Sequence, residues 1–147
     1  MDSGLILEWY RFADIDLALA QHALSMHPRP LEAICYHCQQ SAEKYLKGYL
    51  IYAGSIVPPK VHNLDILCEM CEAYDESFYE LRKPCSVLTD YGVQPRYPHE
   101  MEIYENEMKK AIVYSEQIRD FTPLRAVRNE LEKIVGDANN NESLSGI

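Results

Sequence analysis

The chain contains no apolar run near the ~20 residues needed to cross a bilayer, and its first residues lack a basic-then-apolar leader pattern. It is short of positive charge. Only 14 Lys and Arg stand against 23 Asp and Glu, for a formal net charge of −9. That deficit excludes a broad electrostatic grip on a nucleic-acid backbone and leaves room for a small local basic pocket. No G-x-x-x-x-G-K-[ST] or G-x-G-x-x-G segment is present, so there is no standard phosphate loop. No G-x-S-x-G elbow supports a serine hydrolase. The five cysteines are an odd number. Together these features predict a soluble cytoplasmic protein with reduced thiols and no cofactor.

What is present is helical periodicity. With 147 residues, the chain suits one domain with one core. Residues 5–26 read as a first helix with Trp9, Ala13, Leu17, Ala20 and Leu24 as its apolar stripe, and Asp16 on that same stripe. A carboxylate there either reaches water at a rim or finds a partner. The longest pattern is CYHCQQSAEKYLKGYLIYAG, Cys35 to Gly54. Leu31, Cys35, Cys38, Ala42, Leu46, Tyr49 and Ala53 fall on one side, and Gln40, Glu43, Lys44 and Lys47 on the other. Pro30 and Gly54 punctuate the ends. A third helix starts near His62 or Asn63, with Asn63 as N-cap and Leu64, Leu67, Cys68 and Cys71 inward. Residues 74–97 predict one or two short helices ending at Gly92, with Pro84 as a break, then an extended VQPRYP. A helix over 99–120 buries Met101, Tyr104, Met108, Ala111, Ile112, Ser115 and Ile118. A short one runs from Pro123 to about Val135. The expectation is an all-α, up-and-down antiparallel four-helix-bundle core with additional short helices. It spans residues 1–136, and a flexible polar tail follows at 137–147.

Several polar residues sit where chemistry is possible. Lys44 and Lys47 share a helix flank and suit a phosphate; otherwise they face solvent, with Glu43 paired to Lys47. His62 is either a phosphate or base contact or a helix-start histidine bonded to backbone. Arg96 and Tyr97 precede a helix N-terminus, where free N–H groups favour an anion, Arg grips phosphate and Tyr offers a stacking face. The other reading packs Tyr97 into the bundle and pairs Arg96 with an acid such as Asp16. C-x2-C occurs twice, at Cys35/Cys38 and Cys68/Cys71. Four such thiols can hold zinc, but their position on apolar helix faces reads first as core.

Four segments in order resemble the HEPN domain family, the helical domains often encoded beside minimal nucleotidyltransferases. They are Trp9, Ala13, Asp16, Leu17 and Ala20; Gln40, Ala42, Glu43, Lys44, Leu46 and Lys47; His62, Asn63, Leu64 and Leu67; and Arg96, Tyr97 and Pro98. The resemblance implies a four-helix core, a homodimer, and binding of a nucleotide or RNA end without a membrane. It implies a minimal nucleotidyltransferase as partner, in a toxin–antitoxin-like setting. Lys44, Lys47, His62, Arg96 and Tyr97 would carry the contacts, with Asp16 orienting a base. Many family members are ribonucleases that use an Arg and a His about four to six residues apart. Here His99 follows Arg96 after two residues, which departs from that pattern. The readings are therefore a non-catalytic binding module, a ribonuclease using Arg96 and His99, and a pure dimerisation or interaction module.

Overall fold

Asp2 starts the first helix, α1 (Ser3–His22), by accepting the Leu5 N–H at 3.0 Å. The computed structural model describes residues 2–93 and 102–145, and among these it is all-α, with six α-helices. α1 begins earlier than its periodicity suggests and tightens at its end into a 3-10 turn over Ala23–Ser25. After Pro30 the chain enters α2 (Leu31–Gly54). Gly54 is not itself the left-handed cap. Ser55 takes that conformation, at φ 50°, and its N–H reaches Ile51 O at 2.9 Å.

α1 and α2 form an antiparallel pair. The Ser41 hydroxyl donates to Ala13 O at 2.8 Å and the Tyr45 hydroxyl to Asp14. Higher on α2, a β-carbon on Gly48 would lie 3.0 Å from the Tyr10 ring and 3.3 Å from Trp9 Cβ. Glycine at 48 therefore lets the two backbones approach closely.

The proline-containing segment 55–63 then carries the chain back along α2. Extended chain covers about 3.3 Å per residue against 1.5 Å in a helix, so this stretch is long enough to return past half of α2. Its end is marked by Gln39 Nε2, which donates to His62 O at 3.2 Å. Asn63 caps α3 (Leu64–Glu72), accepting from Asp65 N at 2.8 Å and Ile66 N at 3.2 Å. Further along, the Cys71 thiol meets Leu46 O at 3.8 Å, so α3 runs beside α2 in the same direction.

A 3-10 turn (Glu76–Leu81) leads into α4 (Arg82–Leu88), and a second (Thr89–Tyr91) closes it before Gly92. Pro84 does not break this helix. It lies in the first turn, where its missing N–H has no helical acceptor to lose. Phe78 is the wedge that ties this region to the bundle, 4.5 Å from the Tyr49 ring and edge-on to Phe121 at 5.0 Å.

α5 (Glu105–Arg119) begins later than expected. Residues 102–104 are not helical, so Ile103 turns inward and Tyr104 is exposed rather than on the buried face. Past Phe121, α6 (Thr122–Ser145) holds Pro123 in its first turn and continues well beyond Val135. Gly136 does not end it: residues 136–141 are exposed, a β-carbon at 136 would meet nothing, and a solvent-facing glycine costs a helix only about 1 kcal/mol. α6 packs on α1, where Arg128 Nη2 donates to Asp14 Oδ1 at 2.9 Å and the guanidinium lies 5.3 Å from the Tyr10 ring centre. No helix among the described residues is long and apolar enough to cross a membrane.

Candidate functional site

Two buried carboxylates organise the polar residues of α2. The first is Asp16 on α1. Lys44 donates to its Oδ2, and His37 Nδ1 lies 2.9 Å from its Oδ1. The rim reading of Asp16 is therefore corrected: its side chain is 9% exposed, and a carboxylate that far from water needs the two partners it has. His37 escaped the sequence reading. The signal was its seven-residue spacing from Lys44, which puts both on one face of α2, opposite an acidic residue on the α1 stripe.

The second carboxylate is Glu43. Its Oε2 accepts from Lys47 Nζ at 3.2 Å, and its Oε1 accepts from Gln39 Nε2 at 3.2 Å. His62 Nδ1 lies 3.2 Å from both oxygens. The Glu43 and Lys47 side chains are each 7% exposed. Glu43 and Lys47 are thus not on a solvated back, and the returning chain sets His62 against Glu43. Nor do Lys44 and Lys47 form a two-ammonium phosphate clamp. Each is held by a different carboxylate, Lys44 by Asp16 and Lys47 by Glu43.

His62 departs from the helix-start reading. Its ring bonds a carboxylate rather than backbone, yet its side chain is 76% exposed. A carboxylate only accepts, so Nδ1 carries the proton in this contact. The neutral ring then offers Nε2 as an acceptor or base, and the protonated ring donates from both nitrogens. The buried Glu43 fixes ring orientation, as carboxylates do behind functional imidazoles.

A third polar cluster joins three helices: Asp14 accepts from the Tyr45 hydroxyl and from Arg128. The four cysteines, by contrast, do not assemble a zinc site. Cys35 and Cys38 lie in the core face of α2, the Cys68 thiol donates to Phe78 O at 3.3 Å, and Cys71 turns to Leu46 O. Among the described residues no group of three or more His, Cys, Asp or Glu is placed to hold a metal ion. Burial pushes the Cys35 thiol up to about 12 and raises Cys38 and Cys71 as well, so these are protonated packing residues. Arg96, Tyr97 and His99 lie outside the described residues.

The described residues form an all-α bundle with two buried, histidine-linked carboxylates, Asp16 on α1 and Glu43 on α2. A family profile for the HEPN domain matches residues 6–127. The chain belongs to the HEPN domain family. Comparison with curated proteins finds no match, and comparison with solved structures finds none.

Proposed function

We propose that this chain is a HEPN-family module that binds a nucleotide phosphate or an RNA end at His62 and acts with a minimal nucleotidyltransferase partner. The observation that carries the ligand reading is the His62 ring: 76% exposed, yet held at Nδ1 by the buried Glu43. An imidazole anchored on one nitrogen presents the other to a base edge or, when charged, to a phosphate. Glu43, Gln39 and Lys47 act as positioning residues behind it. Arg96 and Tyr97 join the reading from sequence alone, and the partner from family membership alone.

The ligand contact is electrostatically small. Arg11, Arg29, Lys44, Lys47, Arg82, Arg119 and Arg128 are already in ion pairs, seven of the 14 Lys and Arg in the chain. A phosphate grip by one or two cations loses affinity with salt at a log–log slope of only about −1 to −2.

Thermal shift with ATP and with a 5′-phosphorylated RNA tetramer tests the reading. Ligand at 100 times Kd adds about 2.7 kcal/mol of stability, and His62→Ala abolishes the shift. No shift with either probe contradicts it. The ribonuclease reading is separated in the same samples: cleavage of the RNA that His99→Ala removes and His62→Ala leaves intact would establish it instead.

A further inference from the structure

We infer that Cys68 on α3 and Cys85 on α4 are an oxidation site, a thiol pair that a hydroperoxide such as hydrogen peroxide converts to a disulfide linking the two helices. The C-x2-C spacing does not mark this pair. Cys71 turns from Cys68 toward Leu46 O at 3.8 Å, and the thiol that meets Cys68 comes from the next α-helix.

Three observations set the pair apart from the other buried cysteines. First, the thiols are in contact: Cys85 S–H donates to the Cys68 sulfur, and Cys68 S–H donates to Phe78 O at 3.3 Å. Second, access is ordered. Cys68 forms part of the wall of a groove of about 350 Å³, together with Asp65, Glu69, Glu72, Arg82 and Ser86. Cys85 is fully buried, so a small oxidant entering the groove meets Cys68 first. Third, the charge follows the same order. The hydrogen bond from Cys85 holds Cys68 below the usual thiol range, and the Arg82 guanidinium adds to this against burial and the nearby Glu72 and Asp65 carboxylates. The same bond, with burial, pushes Cys85 up. Cys68 is therefore the thiolate-forming member and Cys85 keeps its proton.

The chemistry balances with one peroxide. The Cys68 thiolate attacks a peroxide oxygen, an S–O bond forms, the O–O bond breaks, and the departing hydroxide takes up a proton to become water. The Cys85 sulfur then attacks the Cys68 sulfenic acid. The S–S bond forms, the S–O bond breaks, and the Cys85 proton leaves with the second water. Two thiols are oxidised by two electrons and the peroxide is reduced by two. A dithiol such as dithiothreitol reverses the bond by exchange.

Treating the full reduced chain with millimolar hydrogen peroxide tests the site, with intact-mass and peptide-level mass spectrometry as the readout. The wild type is expected to lose two hydrogens, to keep three of its five thiols, and to yield a linked peptide pair carrying Cys68 and Cys85. Dithiothreitol should restore all five. Cys85→Ser should stop at the sulfenic acid, which the 1,3-dione dimedone traps on Cys68. Cys68→Ser should leave Cys85 unmodified, and Cys35→Ser should leave the disulfide yield unchanged. Should Cys85→Ser fail to fold, Cys85→Ala, which adds no polar atom to the core, decides in its place. Five thiols that survive peroxide in the folded chain overturn the inference. So does a disulfide joining any other pair, or dimedone labelling that falls on another cysteine.

Discussion

Glu43 and Lys47 stand one turn apart on α2, with Oε2 and Nζ at 3.2 Å and 7% of each side chain exposed. A pair this buried gains little over apolar residues of the same size, but either half alone leaves an uncompensated charge. Glu43→Ala is expected to lower unfolding free energy by about 3–5 kcal/mol in urea titrations. The double change Glu43→Met with Lys47→Met should cost less than that single change. A double variant worse than Glu43→Ala would show that the pair is holding more than itself.

Asp16 makes a contrasting case. Its partners Lys44 and His37 are 25% and 30% exposed, so both can turn to water once the carboxylate is gone. Asp16→Ala should cost about 1–3 kcal/mol, less than Glu43→Ala. Equal losses at the two sites would contradict the difference in burial.

Gly48 is predicted to resist substitution. A methyl group there would press on the Tyr10 ring at 3.0 and 3.1 Å and on Trp9 Cβ. Overpacking of that kind costs about 1–3 kcal/mol, while alanine returns up to about 1 kcal/mol of helix propensity. Gly48→Ala should therefore be net destabilising by about 1–2 kcal/mol. Gly136→Ala, where nothing is within 4 Å, should stabilise α6 by about 0.5–1 kcal/mol.

Alkaline pH should weaken the fold through its thiols. Burial raises Cys35 from 9.0 to about 12, and Cys38 and Cys71 also move upward. Between pH 9 and 12 the unfolded chain has released the Cys35 proton and the folded chain has kept it. The folded state binds more protons there, so stability is fully present below about pH 9 and falls as pH rises. The slope is up to about 1.4 kcal/mol per pH unit for each such thiol. Cys35→Ala, measured by urea titrations at pH 8 and pH 10.5, should flatten that fall.

The helices were legible where apolar spacing and end signals agreed. Asn63, Pro30 and the stripe from Leu31 to Ala53 mark elements that need only local sequence. The start of α5 was not legible, because Met101 and Tyr104 keep the helical phase while Ile103 packs from non-helical backbone. The end of α6 was not legible either, since a polar stretch with one glycine looks like a tail. At the site, periodicity put Glu43 and Lys47 on a polar face, and tertiary packing buries them, with segment 55–63 returning to set His62 against Gln39 and Glu43. That return is a tertiary fact with no local signature. It also explains why the Glu43–Lys47 pair could be read from its four-residue spacing while the His62–Glu43 contact could not.

The central claim is that His62, anchored at Nδ1 by Glu43, offers Nε2 to a phosphate or base. Nitrogen-15 NMR of the histidine rings during titration with the 5′-phosphorylated RNA tetramer tests it most directly. The account predicts that the His62 Nε2 resonance moves with added RNA while Nδ1 stays bonded, and that Glu43→Gln reduces the response. RNA binding that leaves the His62 ring unmoved would contradict it.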